Sequence, residues 1–583
     1  MNGFLALIHT DGRPADPTLF ENLTRELAHR GCTDFKTWTH GSAAFALAWP
    51  PYAIGKTLPD FNGLDLVADL RFDSRNDLIS TLGSAPTAAD FELLAAAYHR
   101  WRHESPLHLL GDFAFAIYDR SRRELFCARD HFGVKPLFYA HTKSGLVVSN
   151  SLEPVLAHPD IPHDLNDLAV ADYLLFDQQQ DPATTVYKHI HRLPAAHSLT
   201  FSASGLKLQR YWTLPLDCET RLRSAECPEA FADLLTTAIC DSTRDDRRSA
   251  VLMSGGLDST SVAALARELP HEIAAFTLIS HATHTDPEEH FSQLAAAHFA
   301  IPHTIHSLDN YAPLDGWNTL PHRGPEPASD LFPRAEYDYM LRVMNYSSVA
   351  LSGYGGDPGL YASATHARRT LKSRNAIPYL AAAARYTLAY RKLPNIGLRT
   401  SLRLKPTWDP GPLPSGLSPD LIRDLDLDSR WRTINSPGPL PDALRPEAYR
   451  TLTLPTWQQL FWIHDPGFTG LPLEVRHPMF DLRVLTFLLG IPPMPWCVDK
   501  ELLRVAMKGR LPGPVRLRPK TPAGSAVPVR DGITLAPATP HPELSRYVAK
   551  LPQGYQDSNR YETWVNLRLY MLNLWFNGAR ICP

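Results

Sequence analysis

Ser254-Gly255-Gly256-Leu257-Asp258-Ser259 lies between an apolar run, Ala250 to Met253, and the start of a helical pattern, Ser259 to Leu269. A glycine pair in that place lets backbone N–H groups approach a polyanion. Ser254 and Ser259 add hydroxyls, and the N-terminus of the following helix favours negative charge. The stretch reads as a pyrophosphate cradle. It lacks the lysine of the GxxxxGK[ST] loop that grips a transferred γ-phosphate, so neither a kinase nor a motor NTPase is implied. Asp258 instead offers a carboxylate where a phosphate-bound Mg²⁺ takes one. A second loop, Leu351-Ser352-Gly353-Tyr354-Gly355-Gly356-Asp357, again follows an apolar stretch, Val349 to Leu351, and again ends on an aspartate. Two such strand ends, with Asp258 and Asp357 as metal ligands, can clamp one Mg-pyrophosphate of ATP between them. From their places at strand ends, Leu252, Thr277 and Gly353 are expected to line the adenosine pocket.

Outward from the loop, the pattern alternates: helix Pro228 to Thr243, strand Ala250 to Met253, helix Ser259 to Leu269, strand Ile273 to Ile279, helix Pro287 to Ala300. Alternation of this kind predicts a parallel α/β sheet with its ligands beyond the carboxyl ends of the strands. The preceding part differs. Short apolar runs (Phe4 to Ile8, Leu64 to Leu70, Asp112 to Tyr118, Glu124 to Ala128, Gly145 to Ser149) end on turn signals, and Ala88 to Trp101 has helical spacing. Phe113, Phe115 and Ile117 alternate with small residues, which predicts a strand buried mainly on one face. This part reads as an α+β layered domain over 1–215, followed by the nucleotide domain over 216–583, in keeping with a chain of 583 residues. Residues 361–405 hold ten Lys or Arg and no Asp or Glu, and Pro406 to Pro441, rich in Pro, Gly and Asp, reads as a loop.

A net charge of -3 removes the electrostatic case for nucleic acid or a membrane surface as the main partner. Seven scattered cysteines (Cys32, Cys127, Cys218, Cys227, Cys240, Cys497, Cys582) form no CxxC pair and suit a reducing compartment. Without a membrane-length apolar run or a signal-like start, the expectation is a soluble, unprocessed, cytoplasmic protein.

The two glycine-rich loops together resemble the asparagine synthetase superfamily, whose synthetase domain is a PP-loop α/β fold that adenylates carboxylates. The resemblance extends over nearly the whole chain. Ala128-Arg129-Asp130-His131-Phe132-Gly133-Val134-Lys135-Pro136-Leu137, Leu193-Pro194 and Tyr211-Trp212 are similar to that family's Ntn-type glutaminase-like domain. Glu474-Val475-Arg476-His477-Pro478-Met479-Phe480-Asp481, Lys500-Glu501-Leu502-Leu503-Arg504 and Arg518-Pro519-Lys520 are similar to its C-terminal motifs. The resemblance implies ATP and Mg²⁺ as cofactors and a role for Lys520 in stabilising charge at the α-phosphate. A preorganised cation contributes about 3 kcal/mol in such a place.

Two departures narrow the reading. The family's glutaminase uses an N-terminal cysteine, whereas this sequence begins Met1-Asn2-Gly3 and its nearest thiol is Cys32, so glutamine hydrolysis is expected to be absent. Tyr354 stands where asparagine synthetases usually carry Glu, as in β-lactam and carbapenam synthetases, where a Tyr–Glu pair deprotonates an internal amine. No Glu occurs between Asp357 and Glu447, so a partner at that spacing is missing. Tyr354 is either a catalytic relay or a packing residue against adenine or substrate. The pattern resembles lasso peptide cyclases, including the Thr-x-Tyr-x-x-Ile-x-Arg-Leu-Pro stretch from Thr185 to Pro194. These adenylate an Asp or Glu side chain of a precursor peptide, which its freed α-amine then attacks to close a macrolactam. That resemblance implies a leader-peptide recognition protein and a leader protease as partners. A small-molecule lactam synthetase and an ammonia-fed amide ligase are the alternatives. Glu288 or Glu289 can reach the site or merely occupy a helix's first turn. The basic zone either holds a peptide or forms solvated helices, with Ile377, Leu380, Leu388 and Leu393 turned toward the body.

Overall fold

The computed structural model describes the chain except residues 54–60, 217, 219, 221, 245, 282–286, 373–375, 395–409, 437, 520–538, 550–559 and 579–583. Lys520 lies outside the described residues.

Two antiparallel sheets stack face to face in the N-terminal part. The first runs in the order Asp34–His40, Ala43–Trp49, Gly3–His9, Gly145–Ser149, Phe138–His141, His191–Arg192. The second runs Gly205–Arg210, His197–Ser202, Glu124–Arg129, Gly111–Asp119, Leu64–Phe72. Alternation along Gly111–Asp119 explains the layering. Ala114, Ala116 and Tyr118 point into the core between the sheets, while Phe113, Phe115 and Ile117 point at helices Arg75–Leu82 and Asp90–Trp101. The strand is thus buried on both faces, not mainly one. Its alanines suit the close sheet-to-sheet approach, and its large residues fill the wider gap to the helices. On the outer face of the first sheet, helices Pro17–Arg25 and Asp167–Phe176 complete an α/β/β/α sandwich.

The second part is built on a five-stranded parallel sheet in the order His303–Ser307, Glu272–Ile279, Arg248–Leu252, Val349–Leu351, Glu474–Arg476. Helices Cys227–Thr243, Leu257–Ala266 and Glu288–Phe299 cover one face, and Pro333–Tyr346 covers the other through Tyr339 and Val343. Register places Val251 beside Leu351 and Leu252 beside Phe276, so the loops after residues 252 and 351 emerge side by side. The stretch from Pro406 to Pro441 is not all loop: its described residues include helices Pro419–Asp424 and Leu427–Asn435, with Leu421, Leu427 and Trp431 buried. Local Pro and Asp content hid an apolar stripe that only packing against the first half makes worthwhile. No helix of the described residues is long and apolar enough to cross a membrane.

The two parts are locked by buried charge. Lys135 Nζ meets Glu474 Oε1 at 2.6 Å, joining a motif of the first half to one of the second. Arg30 binds Asp465 at 2.7 Å, Arg129 donates to Gln458 Oε1 at 2.7 Å, and Arg430 grips both oxygens of Asp172 at 2.6 Å. The Thr185 to Pro194 stretch clamps the synthetase loop around Glu326. Val186 N donates to Glu326 Oε1 at 3.1 Å, Arg192 pairs with the same carboxylate, and Tyr187 Oη donates to Pro325 O at 3.1 Å. Breaking one such buried pair costs about 3–5 kcal/mol, because the remaining charge stays buried without compensation.

The basic zone departs from expectation. In helix Ala376–Tyr390 the residues facing the body are Tyr379, Ala382 and Tyr386, whereas Ile377, Leu380, Leu388 and Leu393 are 79 %, 55 %, 81 % and 75 % exposed. The inward face carries hydroxyls for which the body has acceptors: Tyr386 donates to Asp499 at 2.7 Å and Tyr390 to Glu501 at 2.8 Å. These anchors outweigh the burial available to the leucines.

Candidate active site

A cavity of about 660 Å³ opens at the carboxyl ends of the central strands. Two regions make it.

At the phosphate end, strand Arg248–Leu252 runs into the Ser254–Ser259 loop, and helix Leu257–Ala266 begins on Gly256 with no side chain closing its cap. The first-turn amides and the dipole therefore face the cavity. Ser254 Oγ and Ser259 Oγ lie 3.3 Å apart, and both residues line it. The second loop is pressed against the first. A Cβ on Gly356 would stand 2.5 Å from Asp258 Cγ, and one on Gly353 2.6 Å from Ser259 N. Only glycine allows that approach, and the approach brings Asp258 and Asp357 onto a common cation. Lys500 Nζ pairs with Asp258 Oδ2 and meets Asp357 Oδ1 at 2.7 Å. Burial pulls the Lys500 ammonium down, and the two carboxylates more than offset it, so it stays above the usual lysine range. Arg518 donates to Gly255 O at 3.0 Å, and Arg504 ties the segment together through Asp499 O and Arg518 O, both at 2.8 Å. Lys500, Arg504 and Arg518 thus gather at the end where anionic oxygens would sit.

At the other end the lining is Glu336, Tyr339, Met340, Tyr354, Trp457, Ile463 and His464. Tyr354, 37 % exposed, stacks on His477 with centroids 5.7 Å apart at 17°, and His464 meets it edge-on at 5.7 Å. His477 Nδ1 bonds Ser352 Oγ at 2.6 Å, holding the ring in place. Burial pulls both imidazoles below their usual range, so they are neutral near pH 7. Glu336 sits on helix Pro333–Tyr346. Burial, and then the neighbouring Asp330 carboxylate, push its carboxyl well above the ordinary range. Burial first, and Glu336 second, hold the Tyr354 phenol above its usual range. Glu336, upstream of Tyr354 in the chain, thus lies within electrostatic reach of its phenol.

Of the residues singled out from sequence, Leu252, Ser254, Gly256, Asp258, Ser259, Gly353, Tyr354 and Asp357 line the cavity. Gly255 and Thr277 do not. Gly255 has φ +70°, and a Cβ there would stand 2.7 Å from Glu288 O, so it serves the close approach of helix Glu288–Phe299. Thr277 alternates with Phe276 and Leu278, which do line the cavity. Its hydroxyl instead donates to Met253 O at 2.6 Å and meets His303 Nε2 at 2.8 Å. Glu288 lines the cavity, while Glu289 turns to His281 at 3.1 Å. Sequence reasoning missed the roles of Lys500, Arg504, Arg518 and Glu336. A signal for Glu336 was available: Glu336, Tyr339, Met340 and Val343 share one face of a helix, and an acid at that spacing among otherwise apolar or aromatic neighbours is a candidate site residue.

Residues 73–212 match the family described as glutamine amidotransferase domain, and residues 230–539, more than half of the chain, match asparagine synthase. Among curated proteins, "Asparagine synthetase [glutamine-hydrolyzing] 3" of Bacillus subtilis is 32 % identical over 197 residues, 33 % of this chain and 31 % of the relative. "Asparagine synthetase [glutamine-hydrolyzing] 2" of the same organism is 25 % identical over 292 residues, 46 % and 39 % of the two chains. "Amidase chry2" of Gibberella zeae is 31 % identical over 186 residues, 31 % of this chain and 27 % of that one. The matches span a third to two fifths of these synthetases' own length. A glutamine phosphoribosylpyrophosphate amidotransferase of B. subtilis aligns with TM-score 0.26 at 18 % identity, over 47 % of this chain and 65 % of that one.

Proposed function

We propose, from the premise that this chain belongs to the asparagine synthase family, that it is an ATP-dependent carbon–nitrogen ligase acting on a peptide. It adenylates an Asp or Glu side-chain carboxylate of a precursor peptide and closes that carboxylate onto the peptide's own α-amine as a macrolactam. A carboxylate oxygen attacks the α-phosphorus of ATP and pyrophosphate leaves. The amine then attacks the acyl carbon, loses a proton, and AMP leaves.

The observation that carries the reading is the meeting of Asp258 and Asp357 on one cationic nitrogen at the phosphate end of the cavity. Such a donor pair fits a divalent cation. Mg²⁺ held there would neutralise charge on the departing pyrophosphate. Ser254, Ser259 and the amides that open helix Leu257–Ala266 bind phosphate oxygens, and Arg504 and Arg518 hold the segment that presents Lys500. At the acyl end Glu336, with its affinity for protons raised by burial, is the base for the amine, with Tyr354 as the relay between them. A peptide substrate is supported by the likeness of the Thr185 to Pro194 stretch to that of lasso peptide cyclases. The Tyr354–Glu336 pairing also suits the internal amine of a small lactam precursor, which is the second reading.

Under this proposal the amine comes from the peptide, and the N-terminal domain keeps a structural role without hydrolysing glutamine. Asn2 takes the place of a nucleophile, its backbone N–H donating to Asp69 Oδ1 at 3.2 Å, and burial raises the Cys32 thiol out of the reactive range. The proposed setting is the cytoplasm, alongside a leader-peptide recognition protein and a leader protease. The test is incubation of a leaderless precursor with ATP and the protein, followed by mass spectrometry. The expected product has lost one water, with AMP and pyrophosphate formed in equal amounts. Asp258→Asn is expected to reduce kcat/KM by at least about 10³-fold, a barrier rise of about 4 kcal/mol. Turnover unimpaired in Asp258→Asn, or AMP release driven equally well by free amino acids and ammonium, would overturn the assignment.

A further inference from the structure

Away from the nucleotide cavity, the junction of the two domains brings together two imidazoles and a carboxylate. His29 lies in the short 3₁₀ segment Glu26–Arg30, Glu153 in helix Leu152–Leu156, and His322 in the synthetase loop before helix Pro333–Tyr346. His29 Nε2 is 3.1 Å from Glu153 Oε2, and His322 Nε2 is 3.6 Å from Glu153 Oε1. One ligand atom from each of the three lies within 4.8 Å of the others. A tetrahedral zinc ion with bonds of about 2.0–2.1 Å sets its donor atoms about 3.3 Å apart, and the two nitrogen-to-carboxylate spacings, each to a different oxygen of Glu153, bracket that value.

Three further features favour a metal. His29 Nδ1 bonds the Glu26 carbonyl, which places the ring proton on Nδ1 and presents the Nε2 lone pair to Glu153 and His322. The two imidazole rings pack against each other with centroids 5.0 Å apart, which keeps both beside Glu153. The side chains of His29, Glu153 and His322 are only 12 %, 17 % and 15 % exposed. His322 also lines a smaller cavity of about 130 Å³, and that cavity shares Glu336 and His464 with the nucleotide cavity. A Cβ on Gly470 would come within 2.5 Å of His322 Cβ, so the glycine lets His322 reach the site.

We propose that His29, Glu153 and His322 bind a divalent transition-metal ion of the zinc class, clasping the N-terminal domain to the synthetase loop that lines the second cavity. The set is two nitrogens and one oxygen, which selects zinc or cobalt over Mg²⁺. It also lies apart from Asp258 and Asp357, so the two metal preferences separate experimentally.

The full chain, stripped with a chelator and dialysed, is titrated with Co²⁺ while visible absorption is followed, and then with Zn²⁺ while thermal unfolding is followed. The expected result is one equivalent of Co²⁺ with a tetrahedral-type absorption band, displaced by Zn²⁺, and a rise in Tm with Zn²⁺. His29→Ala and His322→Ala should each weaken metal binding by at least about 100-fold and abolish the Zn²⁺-dependent rise in Tm. Asp258→Asn should leave both intact. Circular dichroism of the two histidine variants confirms that they fold, and Glu153→Gln is a third variant should either fail. Three results overturn the proposal: a wild-type chain that shows no absorption band and no change of Tm with Zn²⁺, a band lost in Asp258→Asn but kept in His322→Ala, or variants that lower Tm equally in chelator and in Zn²⁺. The last would mean that the three residues are an ion-pair network only.

Discussion

The two ends of the nucleotide cavity are built by different means. The phosphate end comes mainly from two contiguous loops, Ser254–Ser259 and Ser352–Asp357, pressed together where Gly353 and Gly356 meet Ser259 and Asp258, and from the Lys500 segment that closes it. The acyl end is assembled from Glu336, Tyr354, Trp457, Ile463 and His464, which come from four separate stretches of chain. Backbone geometry and charge dictate the first, and both leave a mark within a few residues of sequence. The second depends on which side chains the tertiary fold happens to bring to one wall, and its electrostatics come from burial, which no short motif encodes.

The largest expected effect separates the two ends chemically. Glu336→Gln is expected to leave carboxylate-dependent exchange of pyrophosphate into ATP close to wild type, while amide formation falls on the order of 10²-fold, the usual contribution of a positioned general base. An equal loss in both assays would place Glu336 in adenylation and dissolve the distinction.

The same division bears on how much was legible. The parallel sheet, the pyrophosphate cradle and both aspartates follow from glycine placement and apolar periodicity, and the strand Gly145–Ser149 has the bounds its turn signals gave it. Thr277 was misplaced because a strand end was counted as pocket without asking which face an alternating side chain takes. Strands Asp34–His40 and Ala43–Trp49 went unread because Asp34–His40 is a polar edge strand and Ala43–Trp49 is alanine-rich, too small to register as an apolar run. The basic zone misled for a further reason: its tyrosines outcompete leucine for the body by finding Asp499 and Glu501.

At the phosphate end the next test is one of stability. Lys500→Met removes the ammonium that Asp258 and Asp357 share. Asp357 is about half exposed, so the cost is discounted to about 2 kcal/mol from the value for a fully buried pair. Millimolar Mg²⁺ should restore most of it in urea unfolding, whereas a loss that Mg²⁺ does not touch would show that the two carboxylates do not share a metal.

Beside the acyl end, where Asp330 and Glu336 line the second cavity, pH is the lever. Burial raises the Asp330 carboxyl to about 6, while its Oδ1 accepts from Phe332 N at 2.8 Å. The folded state therefore holds a proton that the unfolded chain has released at an ordinary carboxylate value near 4. In that window the native form binds more protons, so stability falls as pH rises from about 4 to about 6 and then levels. Asp330→Asn keeps the acceptor for Phe332 N–H and removes the titration. The difference between pH 5 and pH 7 in urea unfolding should shrink by about 1–2 kcal/mol relative to wild type. An unchanged slope would assign the pH dependence to other buried acids such as Asp73, raised to about 7.

The smallest effect is expected on helix Ala376–Tyr390, where two residues only two positions apart face opposite worlds. Leu388 is 81 % exposed and Tyr386 is buried with its hydroxyl on Asp499, next in sequence to Lys500. Leu388→Ser should change stability by less than about 0.5 kcal/mol, because it removes no buried contact. Tyr386→Phe should cost about 1 kcal/mol through a lost hydrogen bond to a carboxylate, and it should also loosen the segment that presents Lys500. A cost for Leu388→Ser equal to or above that for Tyr386→Phe in thermal unfolding would mean that the outward leucine face is covered in solution. The tyrosines would then not be what holds this helix to the body.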